Sequence, residues 1–209
     1  GNSGVILSLL FRGFSKELHE KQEASPADFA AALERGVKAA YKAVMKPTEG
    51  TILTVARLAA QRASELAEAG VEDGAFWSGV VEAASAALET TPELLPVLKK
   101  AGVVDAGGKG FLIVLEGMNH IFQGGSLESV AESVPPQAQA GPTLVEFDTT
   151  GGFDGQITFT YCTEFLIDRD SQKDSVSLRA YLESIGDCVV VVDDEEIVKV
   201  HVHTDNPGK

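Results

Sequence analysis

The stretch Ser25-Pro26-Ala27-Asp28-Phe29-Ala30-Ala31-Ala32-Leu33-Glu34-Arg35-Gly36-Val37-Lys38-Ala39-Ala40-Tyr41 decides the class of fold. Ser25 is a helix N-cap, whose hydroxyl accepts from a first-turn N–H that has no helical partner. Pro26 suits the first helical position, where its missing N–H costs nothing. Phe29, Leu33, Val37 and Tyr41 then recur every fourth residue, placing them on one face of a helix that the pattern carries to about Met45.

The same period repeats in both directions. Upstream, Ser3 caps a helix over roughly residues 4–22, with Val5, Leu9, Leu10 and Phe14 on its apolar face. Downstream, Thr51 opens an alanine-rich helix to about Ala69, and a fourth helix covers about Ala75 to Leu88. A short fifth spans Pro92 to Lys100, a sixth runs from about Lys109 to Phe122, and residues 126–133 offer one turn or two more. Connections this short favour antiparallel neighbours, as in a bundle. At Pro135-Pro136 the composition changes, and the three prolines between Pro135 and Thr143 suit an extended linker. Beyond it Gln156–Ile167 reads as a strand, Ser175–Ile185 as a helix, and Cys188–Val192 and Ile197–His203 as two strands around the acidic turn Asp193–Glu196. The expected organisation is a helical domain over residues 1–134, a linker over 135–143, and an α/β domain of β-α-β-β order over 144–209.

With 17 basic and 31 acidic residues in 209, the formal net charge is -14. A chain this acidic is repelled by nucleic-acid phosphates and by anionic membrane surfaces, so neither is an expected partner. Its longest apolar runs fall well short of the roughly 20 residues that span a bilayer, so no transmembrane segment is expected. Two cysteines are too few for a disulfide scaffold, which points to reduced thiols and a cytoplasmic location. Charge divides unevenly, net -5 over residues 1–134 and -9 over 135–209, a solubility feature more than a partner signal. The chain opens on Gly1 without a methionine and stops just after a strand pattern, which reads as a piece of a longer protein.

Three glycine-bearing loops precede helices. Gly1-Asn2-Ser3-Gly4 leads straight into the first, Lys46-Pro47-Thr48-Glu49-Gly50-Thr51 into the third, and Asp105-Ala106-Gly107-Gly108-Lys109-Gly110 into the sixth. Small residues let the backbone approach an oxyanion, and a helix start offers free N–H groups and the positive end of the dipole. Each loop alone reads equally well as a capping turn; three of them at one end of a bundle make a nucleotide site. A second constellation lies in the α/β part. His201 and His203 are two apart on a strand and share a face, and Cys162 sits in the middle of another strand. One thiolate and two imidazoles suit Zn2+, with the fourth position left to water or to a carboxylate such as Glu164 or Asp205. The alternative is a half-exposed strand with hydrogen-bonded histidines and a small buried thiol. Cys188, opening a strand, is expected in the core, as are Phe76 and Trp77, while His19 and His120 have no partner in sequence.

Five motifs, in order, resemble the ATP-binding component of bacterial fatty acid kinase: Gly-Asn-Ser-Gly-Val-Ile-Leu-Ser from Gly1, Lys-Pro-Thr-Glu-Gly-Thr-Ile-Leu-Thr-Val from Lys46, Val-Val-Asp-Ala-Gly-Gly-Lys-Gly-Phe from Val103, Tyr-Cys-Thr-Glu-Phe from Tyr161, and Lys-Val-His-Val-His-Thr-Asp-Asn-Pro-Gly from Lys199. The first three resemble its DhaL-like nucleotide-binding domain and the last two its middle domain. The resemblance implies an antiparallel helical barrel holding ATP or ADP at one end, related to the ATP-using component of dihydroxyacetone kinase. It places phosphate contacts on Gly1, Asn2, Ser3 and Gly4, and nucleotide contacts on Thr51, Leu53, Asp105, Gly107 and Gly108. All three metal candidates, Cys162, His201 and His203, fall inside the matched motifs. The implied activity is phosphorylation of a fatty acid carried by a DegV-like binding protein, with the α/β domain bridging to that partner or to a second copy of the chain. In such proteins Mg2+ is held by an Asp-x-Asp-x-Gly loop that would lie upstream of Gly1, so the span is expected to be inactive by itself. Two other readings stay open: phosphotransfer of the dihydroxyacetone kinase type, and a non-catalytic interaction module organised by zinc.

Overall fold

Packing directions in the helical part follow from its short turns. In the computed structural model, which describes residues 2–44, 47–126, 158–169, 175–193 and 197–209, six helices occupy the first part of the chain. They are α1 (Asn2–Leu18), α2 (Pro26–Ala43), α3 (Ile52–Glu68), α4 (Asp73–Leu94), α5 (Pro96–Ala101) and α6 (Ala106–Phe122). Ser25 forms the expected cap on α2, as a full capping box with Asp28. Each helix packs on its sequence neighbour, α1 on α2, α2 on α3 and α3 on α4, while α6 closes against α3 and α4. The starts of α2 and α4 meet the end of α3 around Ser25, Pro26, Gly70 and Asp73. The starts of α1, α3 and α6 are thereby gathered at the opposite end. This is the helical, DhaL-like architecture that the motifs imply. The 135–143 linker, the turn at 127–133 and the two domain boundaries lie outside the described residues.

One fifth-helix expectation is corrected. Pro92 does not open a helix; α4 continues through it to Leu94, and α5 begins at Pro96. Pro92 cannot donate to the Leu88 carbonyl, but the Thr91 hydroxyl does so instead at 2.6 Å, so the helix loses no buried acceptor bond there.

Between α1 and α2 the backbones nearly touch. A Cβ at Gly13 would lie 2.5 Å from the Gly36 Cα, and a Cβ at Gly36 would lie 2.4 Å from the Leu10 carbonyl oxygen. Around this contact, Val5, Leu9, Leu10, Leu33, Val55, Val80, Leu88 and Leu115 fill one core. Phe29, Phe76, Trp77 and Phe122 form an aromatic cluster at its far side, Trp77 stacking on Phe122 at 5.1 Å. Phe76 and Trp77 are fully buried, as expected.

The α/β part comprises β1 (Tyr161–Asp168), α7 (Val176–Ile185), β2 (Gly186–Asp193) and β3 (Ile197–Thr204), the β-α-β-β order read from sequence. Its sheet is antiparallel in the order β1-β3-β2. Alternation splits the faces: Val198, Val200 and Val202 of β3 join Val189, Val191 and Leu182 in a core under α7. The opposite face meets the helical part, where Val190 joins the helical core and bridges to Val44, and the Arg12 guanidinium donates to the Asp193 carbonyl. Cys188 departs from expectation: it is exposed and sits at φ +51°, at a break in the β2–β3 register.

Alanine at position 36 would gain up to about 1 kcal/mol of helix propensity, but overpacking against fixed backbone costs about 1–3 kcal/mol. We expect Gly36→Ala to lower the urea midpoint and Gly117→Ala, where an added Cβ meets nothing within 4 Å, to raise it. Equal midpoints in the two variants would contradict the close α1–α2 contact.

Candidate functional site

Two constellations emerge from the residues singled out above. The first is the end where α1, α3 and α6 begin. Asp105 caps α6, its carboxylate accepting from the Gly108 amide at 2.7 Å, and its own amide donates to the buried Thr91 hydroxyl at 3.1 Å. Thr51 caps α3 by accepting from the Leu53 amide. The three helix starts meet at Gly107: a Cβ there would lie 3.1 Å from the Ser3 hydroxyl, 3.2 Å from the Asp105 carboxylate and 3.4 Å from the Ile52 Cβ. Ser3 and Gly4 are exposed. Gly1 lies outside the described residues, and so does the side chain of Asn2. Leu53 points its side chain into the core, and Gly108 is a packing glycine, since a Cβ would come within 2.8 Å of Val55. Open N–H groups of the first turns, the Ser3 hydroxyl and a backbone uncovered at Gly107 suit an oxyanion.

The loop before α3 is held from behind by Glu49. Its carboxylate accepts from the Thr54 hydroxyl at 2.7 Å, the Arg57 guanidinium at 2.8 Å and the Tyr41 hydroxyl at 2.9 Å. The bond from Arg57 holds the Glu49 carboxyl below the usual carboxylate range, and burial pushes the Tyr41 hydroxyl up. At Gly50, φ is +83° and a Cβ would meet Leu95 at 2.9 Å, which fixes glycine there on both counts.

The second constellation is on the sheet face opposite α7. Cys162 pairs across the ladder with His203, and Glu164 with His201. Ligand atoms of Cys162, His201 and His203 lie within 4.8 Å of one another. His201 is buried, and its Nδ1 lies 2.9 Å from Glu164, while its Nε2 is buried with no hydrogen-bond partner. The His203 Nδ1 lies 3.4 Å from Asp187. A carboxylate on Nδ1 leaves Nε2 as the lone-pair nitrogen, the tautomer that binds a metal. The bond from His201 keeps the Glu164 carboxyl below its ordinary range. Glu164 is thus placed to orient His201 and not to fill a fourth metal position. Asp205 accepts from the Thr160 amide at 2.8 Å, anchoring the approach to β1.

Two contributors carry no signal in the sequence. Thr91 looks like a helix-end residue, and only its reach across to Asp105 makes it part of the first site. Asp187 faces His203 through the register break beside Cys188, which no spacing rule reports. His19 is exposed on the surface and His120 sits beside Ser126; neither joins a site.

Residues 1–120 match the family model described as the DAK2 domain. Residues 158–209 match the model of the fatty acid kinase (FakA)-like middle domain. Among curated proteins, the chain is similar to protein YloV of Bacillus subtilis, 46% identical over 219 residues. It is also similar to an uncharacterized protein of Staphylococcus epidermidis, 43% identical over 212 residues, and to one of Staphylococcus saprophyticus, 44% identical over 212. Each comparison covers all of this chain and 38% of the relative's length. Among the described residues, no helix is long and apolar enough to cross a membrane.

A depressed carboxylate contributes stability that is present above its ordinary pKa and is lost as pH falls through the folded value. Glu49 is over a third exposed, so screening discounts its bonds to about 1 kcal/mol in total. We expect Glu49→Gln to lower stability at pH 7, with the gap to wild type closing as pH drops below about 4.5 in urea titrations. A gap that widens in acid would refute the assignment.

Proposed function

The chain belongs to the DAK2-domain family, with a middle domain of the fatty acid kinase (FakA)-like type, and from that premise we propose that its helical part binds ATP or ADP where α1, α3 and α6 begin, as the nucleotide-binding portion of a kinase. The observation that carries this reading is the meeting of Ser3, Ile52 and Asp105 around the bare backbone of Gly107. Ser3 supplies a hydroxyl donor to phosphate, the helix starts supply N–H groups and dipole, and Asp105 and Thr91 hold the α6 turn so that Gly107 stays open. ATP supplies the phosphoryl group.

The described carboxylates nearest this end do not fit a magnesium set. Asp105 is committed to the Gly108 amide, and Glu49 to Arg57, Thr54 and Tyr41. No metal-assisted step is therefore assigned to them. The sheet face does suit zinc: an unpartnered buried imidazole nitrogen, a second imidazole, a thiol, and a carboxylate behind each histidine. We assign Cys162, His201 and His203 as its protein ligands. A bound zinc would tie β1 to β3 or present a Lewis acid at the face that meets the helical part.

The substrate in this proposal is a fatty acid held by a separate DegV-like carrier, and the α/β part docks that carrier or a second copy of the chain. The test uses the protein at the full length of its relatives. Gly107→Ala places a methyl in the cradle, and we expect it to weaken ADP affinity by about tenfold, or about 1.4 kcal/mol, in calorimetry, with the thermal midpoint unchanged. Turnover of ATP is expected with the fatty-acid-loaded carrier and not with free dihydroxyacetone. Unchanged affinity would remove the nucleotide site from this end, and the reverse substrate preference would assign the triose reaction.

A further inference from the structure

The zinc reading leaves a fourth coordination position, and we infer that Cys188 fills it, closing a Cys2His2 site that joins all three strands. This rests on the assignment of Cys162, His201 and His203 above.

The placement of Cys188 is built by a bulge. On one side of the break Asp187 pairs with His203, and on the other Val190 pairs with His201, so β2 carries an extra residue against β3. A bulge of this kind re-aims the side chain it carries. Val189 and Val191 enter the core beneath α7, whereas Val190 turns to the other face and joins the helical core. The bulge, and not strand alternation, sets the direction of Cys188: its Sγ lies within 4.8 Å of a His203 ring nitrogen, on the face of His201 and His203. Its φ of +51° is a conformation that a non-glycine residue adopts at a cost of about 1–3 kcal/mol, so neighbouring structure must hold it there.

Ligand atoms support the same conclusion. Cys188, Asp187 and His203 form a second group within 4.8 Å, and it shares His203 with the first. Each thiol, Cys162 from β1 and Cys188 from β2, thus lies within 4.8 Å of a His203 ring nitrogen, and closing the site would bring the two together on one metal. Charge favours the pair as well. Two thiolates and two neutral imidazoles cancel the charge of Zn2+, whereas a single thiolate leaves a net positive charge beside the apolar contact of Val190 with Val44. On binding, both thiols release their protons to solvent, and no electron is transferred. Asp187, 3.4 Å from the His203 Nδ1, stays behind that ring as the orienting carboxylate. A closed four-ligand site is a structural one, with no position open to substrate.

Cobalt(II) reconstitution of the protein, read by thiolate-to-cobalt charge-transfer absorption alongside zinc competition with a chelator, tests this. We expect one metal per chain in wild type with absorption for two thiolates. Cys188→Ser should halve that absorption and weaken zinc binding by at least ~100-fold, beyond the range of a lost outer partner. Cys188 is exposed, so the variant should fold, and Cys188→His should restore tight binding with one thiolate. Wild-type metal binding with a single thiolate, unchanged by Cys188→Ser, would overturn the inference and leave the three-ligand site standing. A wild type that binds no metal would overturn both.

Discussion

The backbone contact of α1 with α2 is the constraint on which the candidate nucleotide end depends. Gly36 lets the Leu10 carbonyl lie against it, and Gly13 lets the Gly36 Cα lie against α1, so the two helices sit closer than any side chain between them would permit. That approach sets the height of α1 on the bundle and hence the position of Ser3. Ser3 then falls beside Gly107, a residue more than a hundred positions away on α6. Helix direction does the rest: α1, α3 and α6 begin at one end because α2 and α4 begin at the other. The caps at Thr51 and Asp105 serve local helix formation first. The collection of three helix starts at one end turns ordinary local structure into a surface rich in N–H donors.

A comparable economy governs the sheet. The period-two pattern of β3 sends Val198, Val200 and Val202 under α7 and His201 and His203 the other way. Antiparallel pairing with β1 then fixes what faces the histidines, Cys162 and Glu164, with no freedom left to the register. A thiol and a carboxylate meet two imidazoles at one point because one slip of the ladder would send the valines out of their core.

The helices are legible in sequence because their signals are local. Ser25-Pro26 and the four-residue recurrence of Phe29, Leu33, Val37 and Tyr41 need nothing beyond themselves. The fold class and β-α-β-β order follow from such patterns and agree with the structure. The end of α4 is not legible in this way, because proline usually ends a helix, and here the Thr91 hydroxyl replaces the lost donor to Leu88. Cys188 escapes for a related reason: alternation assumes an unbroken ladder, and the break beside Asp187 is a tertiary event. Of the candidate site residues, Ser3, Asp105 and Gly107 stand together, as do Cys162, His201 and His203. Leu53 is a core residue by its side chain, and Thr91 and Asp187 belong to the sites only through contacts that cross between elements.

Amide hydrogen exchange of the protein at the full length of its relatives, with and without ADP, tests most directly whether nucleotide binds where α1, α3 and α6 begin. Slowed exchange is expected in three separate peptides, those carrying Ser3 to Gly4, Thr51 to Leu53 and Asp105 to Gly108. Protection at the other end of the bundle, around Ser25 and Gly70 to Gly74, with none at these three, would contradict that placement.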